Sequence, residues 1–306
     1  MRIEFDTILG IFLAVLGVAL FMPVFAASKF TDIAVPAVAI IWARYLGGIA
    51  TVSAAIVATR TPIASLRSAK PLQHLLRVAL GSTGGVCAVH AASIMPVADA
   101  AAVGLSQGLM IVLLAGLILR ERVAIGHWLA GSLSALGAYI VIRATATDAA
   151  AGDRALEGAV FAFLGAFLIA CETLLIKVLA RRETALGVLA YVNGMAAILF
   201  AIPALIALDM AGIRFADALP FLLLGPLAIT AQYCNIVAYR KADAAILGPI
   251  SYTWILFSTL LGYVWFGEVP GPGTAYGAVL IVAGGVWLTG ITVRPRPVPV
   301  KIRQTT

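Results

Sequence analysis

Two ionisable residues, Arg44 and Glu172, lie within long apolar runs of the sequence. If these runs cross a membrane, a charge inside them is costly and should face the protein interior or a water-filled cavity. At a rise of about 1.5 Å per residue, both side chains lie close to the middle of their runs. They are therefore predicted either to form a buried ion pair that holds two helices together, or to act in gating and coupling, with Glu172 exchanging a proton for a substrate amine.

A second set of polar residues lies in four other apolar runs and is predicted to bind substrate. Each residue alone is explained more simply by a hydrogen bond between helices. Together they would line a cavity that suits an amphipathic zwitterion with an apolar or aromatic side chain. The set comprises His90, Gln107, Gln232, Asn235, Ser251, Tyr252 and Trp254.

Three residues in two of these runs are predicted to act as hinges. Pro249 lacks a backbone N–H and should kink its helix. Gly104 and Gly108 occupy the corresponding region of an earlier run and weaken the helix there. Such matching weak points indicate a binding site and its hinge in transporters. Gly84 and Gly85 instead indicate close packing between helices.

The composition places all these residues in a membrane. Hydrophobic residues make up 62% of the 306 residues and charged residues only 11%, far from the values of soluble domains. The fold class is therefore predicted to be all-α integral membrane, with ten transmembrane helices. A nine-span count stays open, because only Pro96 and Val97 separate the third and fourth spans. The spans lie near 7–27, 34–58, 75–95, 98–118 and 126–143, and near 158–179, 187–208, 219–239, 243–265 and 274–293.

The net charge of +7 is distributed as membrane topology signals rather than as a nucleic-acid-binding surface. With both termini in the cytoplasm, most Lys and Arg residues between the spans fall on the cytoplasmic side, as the positive-inside rule requires. The basic residues left on the outer side are Lys29, Arg143, Arg154 and Arg214.

The two halves of the sequence repeat each other. The segment 98–104 reads ADAAAVG and the segment 242–248 reads ADAAILG. Landmarks recur at nearly the same spacing: Lys29 with Lys177, Asp99 with Asp243, and Glu121 with Glu268. Because each half has five spans, the second must be inserted upside down, an arrangement typical of transporters. Residues 1–147 and 158–293 are thus predicted as two inverted five-helix repeats, with an external linker at 148–157 and a basic cytoplasmic tail at 294–306.

With this order of spans and acidic residues, the chain resembles the EamA-like branch of the drug/metabolite transporter superfamily, and within it the aromatic amino-acid exporters of the bacterial inner membrane. The resemblance implies that helices three, four, eight and nine line a central cavity. It also implies that helices one, two, six and seven act as gates. Glu121 departs from the family pattern, since Arg120 stands in place of the usual glycine. Glu121 and Glu268 are each predicted to be solvated helix ends or to make capping or gate-latching contacts.

The expected function is secondary transport in the bacterial inner membrane, with amino acids exported by alternating access. The expected partners are a small-molecule substrate and the lipid bilayer, without nucleic acid, cofactor or metal. The alternatives are a proton-coupled drug or metabolite exporter, a membrane-embedded enzyme, and a channel or scaffold. An enzyme is disfavoured, because the sequence has no zinc-protease motif and no phosphate-binding glycine loop of the usual spacing.

Overall fold

The computed structural model describes residues 5–62, 66, 71–108, 110–111, 114, 125–147, 154–179, 184–241 and 252–292. Within these residues every regular element is a helix, which confirms the predicted all-helical class. The main helices are α1 Phe5–Phe25, α2 Ala37–Ala58, α3 Pro71–Ile94, α4 Val97–Gly104, α5 Ile125–Thr147, α6 Ala155–Leu179, α7 Ala185–Leu199, α8 Ala201–Met210, α9 Leu224–Lys241, α10 Thr253–Phe266 and α11 Pro272–Thr292. Short helical turns lie at Ala27–Phe30, Phe215–Ala218 and Leu219–Leu223.

Several of these helices have the length and composition of membrane spans. Five helices in the described part of the chain are long and apolar enough to cross a bilayer, and the bent pair of α7 and α8 would make a sixth. The helix α10 and parts of α5 and α11 are apolar but shorter. Apolar membrane helices are thus confirmed, whereas the count of ten and the cytoplasmic position of both termini remain predictions.

The outer surface of the bundle is apolar. Soluble proteins rarely expose large continuous apolar patches, so this surface suits contact with lipid. Large apolar residues that are at least half exposed lie on nine of the described helices. Examples are Phe12, Val57, Leu136, Ile198, Leu256 and Val279.

Two predicted spans are interrupted. The seventh divides into α7 and α8, which meet at Phe200 with a bend of 44°. Pro203 explains this bend, because it has no N–H to donate to the Leu199 carbonyl and its ring crowds that group. The fourth span breaks after Gly104, where Leu105 and Ser106 form a turn before helical residues resume. The predicted weak point at Gly104 is therefore an actual break in the helix.

Three helix pairs make the most extensive contacts: α5 with α11, α3 with α6, and α1 with α9. Small residues permit this closeness. A Cβ on Gly165 would lie 2.9 Å from the carbonyl oxygen of Gly84, where α6 meets α3. A Cβ on Gly17 would lie 3.0 Å from the carbonyl oxygen of Ala231, where α1 meets α9. In the predicted repeat, Gly17 corresponds to Gly165. The position that corresponds to Gly84 lies within one helical turn of Ala231, so the two close approaches are themselves related by the repeat.

Two large apolar clusters fill most of the interior among the described residues. One surrounds α2 and includes α7, α8 and the start of α9, and the indole N–H of Trp42 donates to the Ala197 carbonyl there at 2.9 Å. The other surrounds α4 and includes residues of α1, α3, α5, α6, α10 and α11. Because α3 contributes to both clusters, it is held firmly against α2 and α6, and these three helices carry the polar site described next.

Candidate functional site

Glu172 on α6 forms an ion pair with Arg77 on α3, with 3.1 Å between its Oε1 atom and the arginine Nε. The two side chains are only 20% and 18% exposed. The carboxylate lies against Gly81, one turn further along α3, where a Cβ would overlap it. A carboxylate among apolar helices needs a nearby cation to offset the loss of its hydration. The helix α3 therefore supplies both the cation and the space for Glu172.

Arg44 on α2 is the most deeply buried charge of this region. It is 4% exposed, and its Nε and Nη1 atoms have no hydrogen-bond partner among the described residues. Its guanidinium carbon lies 3.8 Å from the ring centre of Tyr45, and the Tyr45 hydroxyl is hydrogen-bonded to Ser82 on α3 at 2.7 Å. The charge of Arg44 acts on Glu172 through space, whereas Arg77 makes the direct contact.

The predicted ion pair between Arg44 and Glu172 is therefore wrong, because the partner of Glu172 is Arg77. The third span was predicted near 75–95, and Arg77 at its start was counted as a cytoplasmic topology signal rather than as a partner of Glu172. The helix α3 begins at Pro71, which places Arg77 within its second turn. Arg77 lies one turn before Gly81, and residues at that spacing share a helix face. This spacing was the signal in the sequence that a carboxylate packed against Gly81 can reach Arg77.

Gln107 and Tyr252 lie near the residues next to Glu172 and Gln107 in the sequence. The side-chain amide of Gln107 donates to the hydroxyl of Thr173, the neighbour of Glu172, at 3.5 Å. Gln107 is the first helical residue after the break in the fourth span. A Cβ on the adjacent Gly108 would lie 3.4 Å from the Tyr252 hydroxyl. Of the residues predicted to touch substrate or to couple transport, Gln107 thus contacts the residue next to Glu172, and Tyr252 lies beside the residue next to Gln107.

His90 lies apart from this cluster. It is in the last full turns of α3, about 13 Å along the helix from Gly81 at 1.5 Å per residue. Its Nε2 atom is 3.2 Å from Oε1 of Glu157, in the first turn of α6. Its ring meets the edge of Phe161, with 4.5 Å between ring centres. His90 therefore joins the ends of α3 and α6, and its contact with substrate stays a prediction.

The other predicted substrate residues pack mainly against α1. The Asn235 amide on α9 would be 3.1 Å from a Cβ on Gly17, and the Trp254 ring on α10 lies with its centre 5.3 Å from that of Phe25. Both side chains therefore connect α1 to the second half of the chain. Of the remaining predicted substrate residues, Gln232 is half-buried on α9 and Ser251 lies outside the described residues. Of the predicted hinge residues, Gly104 ends α4 and Pro249 lies outside the described residues.

A second charged cluster joins the ends of α1, α3, α4 and α10. Lys29 forms an ion pair with Glu268 and donates to the Met95 carbonyl at 2.9 Å. The other carboxylate oxygen of Glu268 accepts a hydrogen bond of 2.7 Å from the Val97 N–H, one of the unpaired donors at the start of α4. Of the two alternatives for Glu268, the structure has the capping contact. Glu121 lies outside the described residues.

Known transporters are similar to this chain over most of its length. A model of the EamA-like transporter family matches residues 156–290. A riboflavin transporter of Rhizobium johnstonii is 30% identical over 238 residues, covering 75% of this chain and 74% of that protein. An S-adenosylmethionine uptake transporter of Rickettsia bellii is 25% identical and covers 73% of this chain and 74% of that protein. A pseudopaline exporter of Pseudomonas aeruginosa is 25% identical and covers 92% of this chain and 95% of that protein.

A solved structure is also similar in fold. A crystal structure of a protein with 21% sequence identity matches with a TM-score of 0.62, covering 94% of this chain and 97% of that one. At this identity the likeness concerns the fold alone. The predicted resemblance to the drug/metabolite transporters is confirmed by the sequence relatives. Their names concern riboflavin, S-adenosylmethionine and pseudopaline, so the closer likeness to aromatic amino-acid exporters stays a prediction.

Proposed function

The chain belongs to the EamA-like transporter family, and on that premise we propose that it is a secondary transporter of amphipathic metabolites in a bacterial inner membrane. Movement of small metabolites across a membrane is common to the named relatives, which include an uptake transporter and an exporter. We propose the outward direction and amino acids as the first substrates. The relatives are transporters rather than enzymes, which leaves the membrane-enzyme alternative without support.

One observation carries this proposal: Arg44, Arg77 and Glu172 lie together inside apolar helices. Charges at such positions are expensive and mark substrate or ion pathways in membrane proteins. Gln107 and Tyr252 extend the polar region from α6 towards α10. The region therefore combines cationic, anionic and neutral hydrogen-bonding groups, as recognition of a zwitterion with an apolar body requires.

The helix pairing supports transport by alternating access between two inverted repeats. If the first repeat comprises spans one to five, α1 corresponds to α6 and α3 corresponds to α9. Exchanging the halves then converts the α3–α6 pair into the α9–α1 pair, and these are two of the three most extensive contacts. The close approaches at Gly165 and Gly17 correspond in the same way. Two such halves could open a central site to each side in turn.

A second candidate substrate, riboflavin, is favoured by the relative from Rhizobium johnstonii, which is 30% identical to this chain. A riboflavin transporter of Brucella anthropi is also similar, with 26% identity over 84% of this chain. Riboflavin has an aromatic ring system and a polar chain, so it too is amphipathic. It differs from an amino acid in having no carboxylate and no ammonium group, which makes the two candidates separable by experiment.

The proposed function is tested by transport assays with the purified full chain in liposomes. Labelled aromatic amino acids, leucine, S-adenosylmethionine and riboflavin are loaded inside or outside, with and without a proton gradient. We expect saturable counterflow of amino acids in liposomes that contain the protein. Protein-free liposomes should show no counterflow. Counterflow of riboflavin alone would replace the first substrate by the second. Flux that does not saturate would indicate a channel, and an absence of flux for every solute would contradict the proposal.

A further inference from the structure

Building on the proposed function, we infer that Arg44 binds a carboxylate of the transported solute and thereby selects acids over neutral analogues. Arg44 lies on α2 where this helix faces α3, beside the hydrogen bond between Tyr45 and Ser82. Two of its nitrogen atoms are buried without a hydrogen-bond partner among the described residues. Buried donors without a partner are rare in proteins, because the group loses its hydrogen bonds to water and gains none from the protein.

The charges around Arg44 do not balance. Among the side chains described on α2, α3 and α6, the charged groups that are buried or half-buried are Arg44, Arg77 and Glu172. Glu172 is bonded to Arg77, which leaves one positive charge in excess. An excess charge inside apolar helices is unfavourable unless an anion joins it. A single carboxylate would restore neutrality.

The contacts that Arg44 does make are insufficient to replace an anion. Its guanidinium lies over the Tyr45 ring, and a cation–π contact is much weaker than a buried hydrogen-bonded ion pair. Glu172 attracts it only through space, since its Oε1 atom is bonded to Arg77. The planar guanidinium matches the geometry of a carboxylate, so the unmet donors favour this group over a neutral carbonyl.

The neighbouring groups define how the rest of the solute would lie. With its carboxylate on Arg44, an amino acid would have its ammonium group within the field of Glu172, the anionic member of the cluster. Thr173, the residue after Glu172, is hydrogen-bonded to the Gln107 amide, and these two side chains offer further polar groups. The residue Arg44 would thus determine specificity, and the ion pair of Arg77 and Glu172 would position the ammonium end.

The inference is tested by binding rather than by transport. The purified full chain is titrated with four acid and amide pairs, those of phenylalanine, tyrosine, tryptophan and leucine, and with riboflavin. Ligand affinity is obtained from the rise of the unfolding midpoint with concentration. We expect at least one acid to bind roughly ten- to hundred-fold more tightly than its amide, the usual effect of a buried charged hydrogen bond. In Arg44→Gln this ratio should fall to about one.

Two further variants keep the test decisive. Arg214→Gln removes an arginine from an exposed ion pair with Asp217 and should leave the acid-to-amide ratio unchanged. Arg44→Lys retains the charge but not the planar donors, and should bind acids several-fold less tightly even if Arg44→Gln fails to fold. The inference is overturned if acids and amides bind equally to the unaltered chain, if none binds, or if riboflavin alone binds. It is also overturned if both Arg44 variants keep the full preference for acids.

Failure of this inference is distinguishable from failure of the proposed function. Saturable riboflavin counterflow without acid-selective binding would leave the chain a transporter and remove the carboxylate site. A loss of transport in Arg44→Gln with an unchanged acid-to-amide ratio would indicate that Arg44 acts on helix packing or on Glu172. Acid-selective binding without flux would retain the site and contradict transport.

Discussion

Lys29 and Glu268 form an ion pair although 239 residues separate them in the sequence. The pair joins the turn after α1 to the end of α10, and both side chains are less than one-fifth exposed. Glu268 also caps α4 through the Val97 N–H, and Lys29 also bonds the Met95 carbonyl. One contact site therefore connects the two halves of the chain at the junction of α3 and α4.

Exchanging the charges of Lys29 and Glu268 should separate the ion pair from the helix cap. Lys29→Glu and Glu268→Lys are each expected to destabilise the chain by about 1–2 kcal/mol, because each places like charges together in a partly buried site. The double exchange should recover only part of this loss, since a lysine at position 268 cannot accept the hydrogen bond from Val97. Thermal unfolding of the four proteins measures the coupling, and strictly additive effects would contradict it.

Glu172→Gln should impair both stability and transport. The substitution leaves Arg44 and Arg77 without a carboxylate, so we expect a loss of about 1–3 kcal/mol in the free energy of unfolding, given that the pair is about one-fifth exposed. Asp6→Asn is a matched control, because Asp6 is 64% exposed and pairs with Lys241 at the start of α1.

The same Glu172→Gln variant also tests proton coupling. If Glu172 exchanges a proton for a substrate amine, the neutral glutamine should flatten the dependence of transport on pH. Transport rates between pH 5.5 and roughly 8.5 provide the measurement. An unchanged rate and an unchanged pH profile would remove the coupling role and leave Glu172 with its structural role.

Gly137→Ala should destabilise the contact between α5 and α11. The new Cβ would lie 2.6 Å from the Gly277 carbonyl oxygen and 2.9 Å from the Ile281 nitrogen, both backbone atoms that cannot move aside alone. Overpacking of this kind costs about 1–3 kcal/mol. Gly194→Ala on α7 is the control, because no atom lies within 4 Å of its added Cβ. A similar unfolding midpoint for both variants would contradict this prediction, because it would show that α5 and α11 can move apart without a loss of stability.

Labelling of single cysteines tests the inverted repeat. Position 32 follows α1, and position 177 lies in the last turn of the corresponding helix α6. The repeat predicts that the two positions face opposite sides of the membrane. In a chain whose three natural cysteines are replaced by alanine, Asp32→Cys should react with a membrane-impermeant maleimide in intact cells. Lys177→Cys should react only after the membrane is permeabilised. Reaction of both from the same side would exclude two oppositely inserted halves.

Helix positions were the most predictable feature of the fold. Long apolar runs predicted α1, α2, α3, α6 and α9 to within a few residues, because length and hydropathy alone decide whether a segment suits a bilayer. The bend at Phe200 was missed, although Pro203 stood in the sequence as its cause. A proline in an apolar run indicates a kink only when its place in the helix is known.

The site was less predictable, because contacts between distant helices depend on their rotation. Glu172 and Gln107 were identified as polar residues in apolar runs, and the structure connects them through Thr173. Arg77 was missed because it lies near the start of the predicted third span and was counted as a cytoplasmic topology signal, whereas α3 begins one turn earlier and places Arg77 within its second turn. The contact of His90 with substrate was predicted from its place in an apolar run. The structure places His90 near the end of α3, where its ring lies 3.2 Å from Glu157.

The turn at Leu105 and Ser106 has a consequence for the orientation of Gln107. At this turn the backbone N–H groups of Ser106 and Gly108 bond carbonyls three residues earlier, whereas that of Met110 returns to the α-helical spacing. A gain or loss of one residue in the winding would rotate the following segment by about 100° around its axis. Gln107 would then swing away from Thr173 and present its amide to a different neighbour. The winding of the backbone at this turn thus determines the direction in which the Gln107 side chain points. The surrounding helices need not move for that direction to change.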